Sequence, residues 1–97
     1  MSLYGALFTG VAGLNANSRA LSVTSTNIAN VNTVGYKGSK TEFETLIVSG
    51  SGSENFSTGG VKGEAFRQVS KQGDLQTTGV STDLAVSGSG FFPVTEL

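Results

Sequence analysis

Cysteine and histidine are both missing from these 97 residues. Their absence removes thiol chemistry, Cys/His zinc sites and any Ser-His-Asp triad. Charge is scarce as well: six basic and seven acidic residues leave a net charge of -1. With no basic field to hold a phosphate backbone, nucleic acid is not an expected partner. No apolar run reaches the roughly eighteen residues of a membrane span, so membrane insertion is not expected either. The first basic residue is Arg19, and no basic segment precedes an apolar run, so no cleaved secretory leader is expected. Proline occurs once against fourteen glycines, a balance that gives a flexible rather than a kinked chain. A chain without cysteine also suits a protein that crosses compartments and must avoid stray disulfides. Nothing in the residues calls for a cofactor or a metal.

What the sequence does contain is a periodic beginning. With Tyr4 as heptad position a, position d reads Leu7, Leu14, Leu21 and Ile28. A seven-residue apolar repeat of this kind holds one seam of a helix against a partner helix. The a positions are weaker: Tyr4, Val11, Ser18 and Ser25. Leu7, Val11, Leu14, Leu21 and Ile28 are therefore the candidate packing seam. Alanines are scattered around the rest of the cylinder, and Arg19 is the only charge before Lys37. A solvated amphipathic helix carries a charged outer face; here Ser, Thr and Asn stand in its place. One reading is a single amphipathic helix on a small core. The reading favoured here is a helix with close neighbours on most sides, where small polar residues permit near approach. Gly5, Gly10 and Gly13 weaken the helix, so it is expected to order when partners cover it.

The stretch "NIANVNTVGYKGS", Asn27 to Ser39, ends this regularity. Asn30 and Asn32 tolerate the left-handed conformation that stops helices, and Gly35 adopts it at least cost. Asn side chains also bond to nearby backbone and stiffen a corner. Asn27, Asn30, Asn32, Gly35 and Tyr36 are the candidate corner, read as a rigid helix exit rather than a generic loop. Lys37 to Leu46 then resumes with mixed polarity. "VSGSGSENFSTGG", Val48 to Gly60, reads as a flexible connection. Its Asn55-Phe56-Ser57 triplet fits a glycosylation acceptor, a pattern that chance often supplies. After Gly60, short apolar stretches punctuated by Gly73, Gly79, Gly88 and Gly90 predict two or three short strands joined by turns. The expected fold is α+β: a long coiled-coil-forming helix, an extended linker, then short antiparallel strands of a partial chain. The corresponding divisions are an assembly helix at 1–33, a corner and Ser/Gly-rich connection at 34–60, and a truncated β-rich start at 61–97.

Two separated stretches carry a family likeness. "LFTGVAGLNANSRALSVTSTNIANVNTVGYK" resembles the small-residue helix, Asn-Ile-Ala-Asn ending and Gly-Tyr-Lys exit of the axial proteins of the bacterial flagellum. "QGDLQTTGVSTDLAVSGSGFF" resembles the second signature of the same family. Together they cover over half of the chain, in the expected order. The resemblance implies a structural subunit that is not an enzyme, polymerising with copies of itself into an open, hollow helical filament and meeting other axial proteins at its ends. It implies a C-terminal helix of the same subunit, outside these residues, as the seam's partner. It also implies export through the flagellar type III apparatus to an extracellular place in hook or basal body. Between the two places, the opening "MSLYGALFTGVAGLNANSRALSVTSTNIAN" and the Ser/Gly-rich stretch resemble a hook subunit, a flexible joint that transmits torque and passes export substrates, more than a distal rod subunit. Ser49 to Gly60 would then be a compliant element. From a different class, a small binding module remains the rival. Catalysis by Asp74 and Asp83 has no marked pocket behind it.

Overall fold

Three of the polar side chains on the almost uncharged N-terminal helix bond back to its own backbone. In the computed structural model, which describes residues 3–48 and 57–97, helix α1 runs over Leu3–Ala29. Thr9 Oγ1 donates to Gly5 O, Asn17 Nδ2 to Gly13 O, and Thr26 Oγ1 to Ser22 O, at 2.9, 3.0 and 3.0 Å. Each bond folds a polar side chain back onto the preceding turn, leaving its carbon atoms outward. Apart from Arg19, the surface of α1 is uncharged, and its own backbone meets part of its hydrogen bonding.

Beyond the corner the chain forms one antiparallel hairpin, β1 (Ser39–Val48) and β2 (Ser57–Arg67). Ser39 faces Arg67 and Phe43 faces Gly63, with a bulge between Leu46 and Ile47. Gln68 N donates to Gly38 O at 2.8 Å, which carries the ladder one step past the strand ends. Alternation puts Lys40, Glu42 and Glu44 on one face of β1 and Lys62, Glu64 and Phe66 opposite them on β2. Lys40 pairs with Glu42 at 2.6 Å, and Lys62 with Glu64. The other face, bearing Phe43 and Gly63, lies against α1.

The sheet begins earlier and ends earlier than the residues predict. Its first strand occupies Ser39–Val48, inside the span read as corner and connection. Mixed polarity there is the alternation of a strand with one solvated face. Ser57–Gly60, read as the end of a flexible connection, starts β2, and residues 49–56, with Asn55 and Phe56 of the acceptor triplet, lie outside the described residues. After Arg67 no further strand forms among the described residues. The alternation at Leu84–Ser87 has no neighbouring strand to bond with here, and an extended segment becomes a strand only through such a ladder.

Very little of this chain is covered. Among the described residues Ala16 is the only buried apolar side chain, at 3% exposure. The radius of gyration is 20.9 Å and the long axis 67 Å, whereas a compact domain of this length has a radius of gyration of about 13 Å. No helix is long and apolar enough among the described residues to cross a membrane.

Candidate assembly surface

At about 100° of turn per residue, two stripes run along opposite sides of α1. One consists of Gly5, Thr9, Ala12, Ala16, Ala20, Val23 and Asn27, all half-buried or buried. It lies on the hairpin at very short range. A Cβ placed on Gly60 would stand 2.9 Å from the Ala12 Cβ, and one on Gly63 would stand 3.4 Å from Ala16 O. Gly60 also has φ +105°, so only glycine meets both demands there. Arg19 reaches over the contact and its Nη1 donates to Gly63 O at 3.4 Å.

The second stripe is the seam. Leu7, Val11, Leu14, Leu21 and Ile28 line up on the side away from the hairpin, between 53% and 72% exposed. Leu3, Tyr4 and Phe8 widen the stripe at its N-terminal end, and all three are at least 72% exposed. Ser18 and Ser25 interrupt it toward the C-terminus. Single exposed apolar residues are ordinary on a protein surface, whereas several aligned on one side of a helix make a candidate interaction surface.

The corner joins the stripes to the sheet. Asn27 carries the joint: its Nδ2 donates to Ser39 O at 2.7 Å, while its Oδ1 accepts from Ser39 N at 3.0 Å and from the Tyr36 hydroxyl at 3.1 Å. One amide thus pairs with both backbone groups of Ser39 in the manner of a neighbouring strand, and ties the last turn of the helix to the first residue of β1. Neither helix end has a compensating charge, and neutral donors answer the last carbonyls instead. Asn30 N and Asn30 Nδ2 both donate to Thr26 O, at 3.1 and 2.9 Å. Thr33 Oγ1 then donates to Asn30 Oδ1 at 3.1 Å. Of the candidate corner residues, Gly35 alone is left-handed, with φ +77°. Asn30 and Asn32 depart from expectation by keeping negative φ. The amide of Asn30 closes the helix by back-bonding, which needs no left-handed residue, and Asn32 is exposed without a hydrogen bond among the described residues.

Reasoning from the residues missed Ala12, Ala16, Gly60, Gly63 and Arg19. The signal was faint because Gly and Ala add nothing to a hydrophobic periodicity. The usable clue was a run of glycines, Gly59-Gly60-Val61-Lys62-Gly63, inside an otherwise alternating strand, which points to close approach of another backbone. On the hairpin's outer face, the bond and charge of Lys62 hold the Glu64 carboxyl below its ordinary pKa, and Glu64 holds the Lys62 ammonium above its own.

Residues 7–37, which contain most of α1 and the whole corner, match the family described as flagella basal body rod protein. Over 96 residues the chain is 49% identical to the flagellar hook protein FlgE of Caulobacter vibrioides, covering 99% of this chain and 16% of that protein. It is 48% identical over 94 residues to FlgE of Rhizobium meliloti, covering 97% of this chain and 23% of that one. FlgE of Helicobacter pylori is 39% identical over 99 residues, covering 89% of this chain and 14% of its own length. The chain thus spans less than a quarter of the length of these relatives. No solved structure matches it.

Proposed function

Because the chain belongs to the flagellar axial proteins and is most like the N-terminal part of the hook protein, we propose that it is the assembly segment of a hook subunit. The subunit polymerises with copies of itself into a hollow helical tube that serves as a flexible joint, transmitting torque and passing export substrates. Its place is the flagellum, and it reaches that place through the flagellar export apparatus. Within the tube the seam of Leu7, Val11, Leu14, Leu21 and Ile28 packs against a helix from the remaining length of the subunit. The corner at Asn27, Asn30, Gly35 and Tyr36 fixes the angle at which the hairpin leaves that inner layer.

The observation that carries this reading is the direction in which α1 spends its apolar residues. Its own hairpin meets Ala12 and Ala16 at Gly60 and Gly63, while every leucine of the seam faces out. A self-contained binding module would bury them. Hook is preferred to distal rod because the likeness to hook proteins runs over nearly the whole chain, whereas the rod description covers residues 7–37.

The test is Leu14→Ala in the full-length subunit. A tightly packed leucine lost to alanine costs about 2–5 kcal/mol at the interface that buries it. Export into the medium should continue, and polymerisation into hooks should fall. Normal polymerisation would remove the seam from the interface and the reading with it.

A further inference from the structure

Residues 73–97 have a single backbone–backbone hydrogen bond among the described residues, from Asp83 N to Val80 O at 3.2 Å. They nevertheless follow a defined path, and the ties that hold it converge on one side chain. Gln72 Nε2 donates to Val86 O at 3.2 Å and to Gly73 O at 3.3 Å, and Gln72 Oε1 accepts from Gly88 N at 3.4 Å. Both amide protons and the carbonyl oxygen are in use. Bonding Val86 O and Gly88 N together is what a facing strand would do. Gly88 has φ +109°, a left-handed turn that glycine takes at least cost. Val86, the residue so gripped, is the one half-buried position between Val69 and Leu97.

We propose that Gln72 is a positioning residue whose amide clasps the loop from 72 to 88 shut and so sets the direction in which the chain leaves Gly88. The clasp stands on a fixed base. Lys37 Nζ donates to Lys71 O at 2.7 Å, and Gln68 N donates to Gly38 O, so the residue before Gln72 is fastened to the corner. The loop has its own brace, Thr78 Oγ1 to Asp83 Oδ2 at 2.7 Å, but that bond lies wholly inside it and cannot orient it. Asn27 and Gln72 thus do the same work at successive joints: each replaces a missing strand with a side-chain amide. The first fixes helix to hairpin, and the second fixes hairpin to whatever follows. The inference concerns the single subunit and stands independently of the hook reading.

Backbone hydrogen exchange on the unassembled full-length subunit tests it. Gln72→Ala should speed exchange at the Gly88 amide about tenfold, the effect of losing a small set of hydrogen bonds. The Gln68 amide, on the fixed base, should not change. Gln72→Glu supplies a second readout. Its carboxylate still accepts from Gly88 N but cannot donate to Val86 O. At neutral pH, Gly88 should therefore exchange more slowly in Gln72→Glu than in Gln72→Ala, and equal exchange in the two would overturn the proposal. Unchanged exchange at Gly88 in Gln72→Ala would overturn the proposal. Equal acceleration at Gln68 would also overturn it, by making Gln72 a support of the whole junction rather than a clasp on the loop.

Discussion

The two faces of α1 differ in a way that reverses the usual rule of protein interiors. One face, built from Gly5, Thr9, Ala12, Ala16 and Ala20, is covered by the chain's own hairpin, and Ala16 there is 3% exposed. The other holds Leu7, Leu14, Leu21 and Ile28, and remains open. Covering small residues yields little hydrophobic stabilisation, because burial scales with apolar area. What it yields is proximity: backbone meets backbone at Gly60 and Gly63, and the orientation of helix and hairpin is defined by shape. The large apolar side chains, which could have formed a core, stay exposed. The covered face sets geometry, and in the proposed reading the open face supplies adhesion.

That division can be broken from either side. The largest effect should come from removing two leucines of the open face. Leu14→Ala with Leu21→Ala should weaken packing in the assembled subunit by about 4–10 kcal/mol if both are tightly buried there. In the unassembled chain, the same pair should alter stability by less than about 1 kcal/mol, as exposed substitutions do. Sedimentation of polymer against thermal melting of the free subunit separates the two. A comparable loss in both would erase the distinction between the faces.

Next is the covered face. Gly60→Val places a branched side chain at positive φ and against Ala12, a combination costing on the order of 3 kcal/mol. Here the loss should appear in the free chain, as faster hydrogen exchange across β2. An unaffected hairpin would mean that close approach does not hold it. A smaller effect is expected at the joint. Asn27→Ala removes the partners of Ser39 N, Ser39 O and the Tyr36 hydroxyl, a loss of about 2 kcal/mol. It should loosen the Ser39 amide while leaving the middle of α1 protected; unchanged exchange at Ser39 would reassign the joint to the backbone turns of the corner.

The smallest effect belongs to the solvated outer face of the hairpin. Glu64 is held below the ordinary carboxylate pKa by Lys62, so its contribution is present above the unfolded-state value and is lost as pH falls through the folded one. Lys62 is held above the ordinary lysine pKa by Glu64, so its contribution is present below the unfolded-state value and is lost as pH rises through the folded one. Across the neutral range between these limits the pair should leave hairpin stability flat. Both groups face water, and salt should screen the effect further. Carboxyl chemical shifts followed through an acid titration, with and without Lys62→Gln, read this directly. An unshifted Glu64 midpoint on losing Lys62 would dissolve the pair.

The sequence carried the open face far better than the covered one, for a physical reason. Leucine at every seventh position makes the seam and the helix visible together, and the run of Asn, β-branched residues and Gly35 marks the place where the helix gives way. The covered face is made of residues with no hydrophobic signature, and its other half lies more than forty positions away in β2, so no local pattern could pair Ala12 with Gly60. β1 was obscured because a strand with one charged face has the mixed polarity of a connection. The segment after Arg67 carries strand-like alternation at Leu84 and Val86, yet alternation supplies only the pattern, and a neighbour must supply the ladder. Hydrogen bonds from single amides, at Asn27 and Gln72, have no sequence pattern at all. The first was named as part of the corner for its residue type, not for its three bonds.

A seam that is open in the free subunit and covered in the polymer changes its side-chain accessibility on assembly. These residues contain no native cysteine, so Leu14→Cys and Ala16→Cys can each be labelled with a thiol reagent and located by mass spectrometry. Position 14 should react in the unassembled full-length subunit and become protected in assembled hooks, while position 16, against the hairpin, should be protected in both. Equal labelling of position 14 before and after assembly would contradict it.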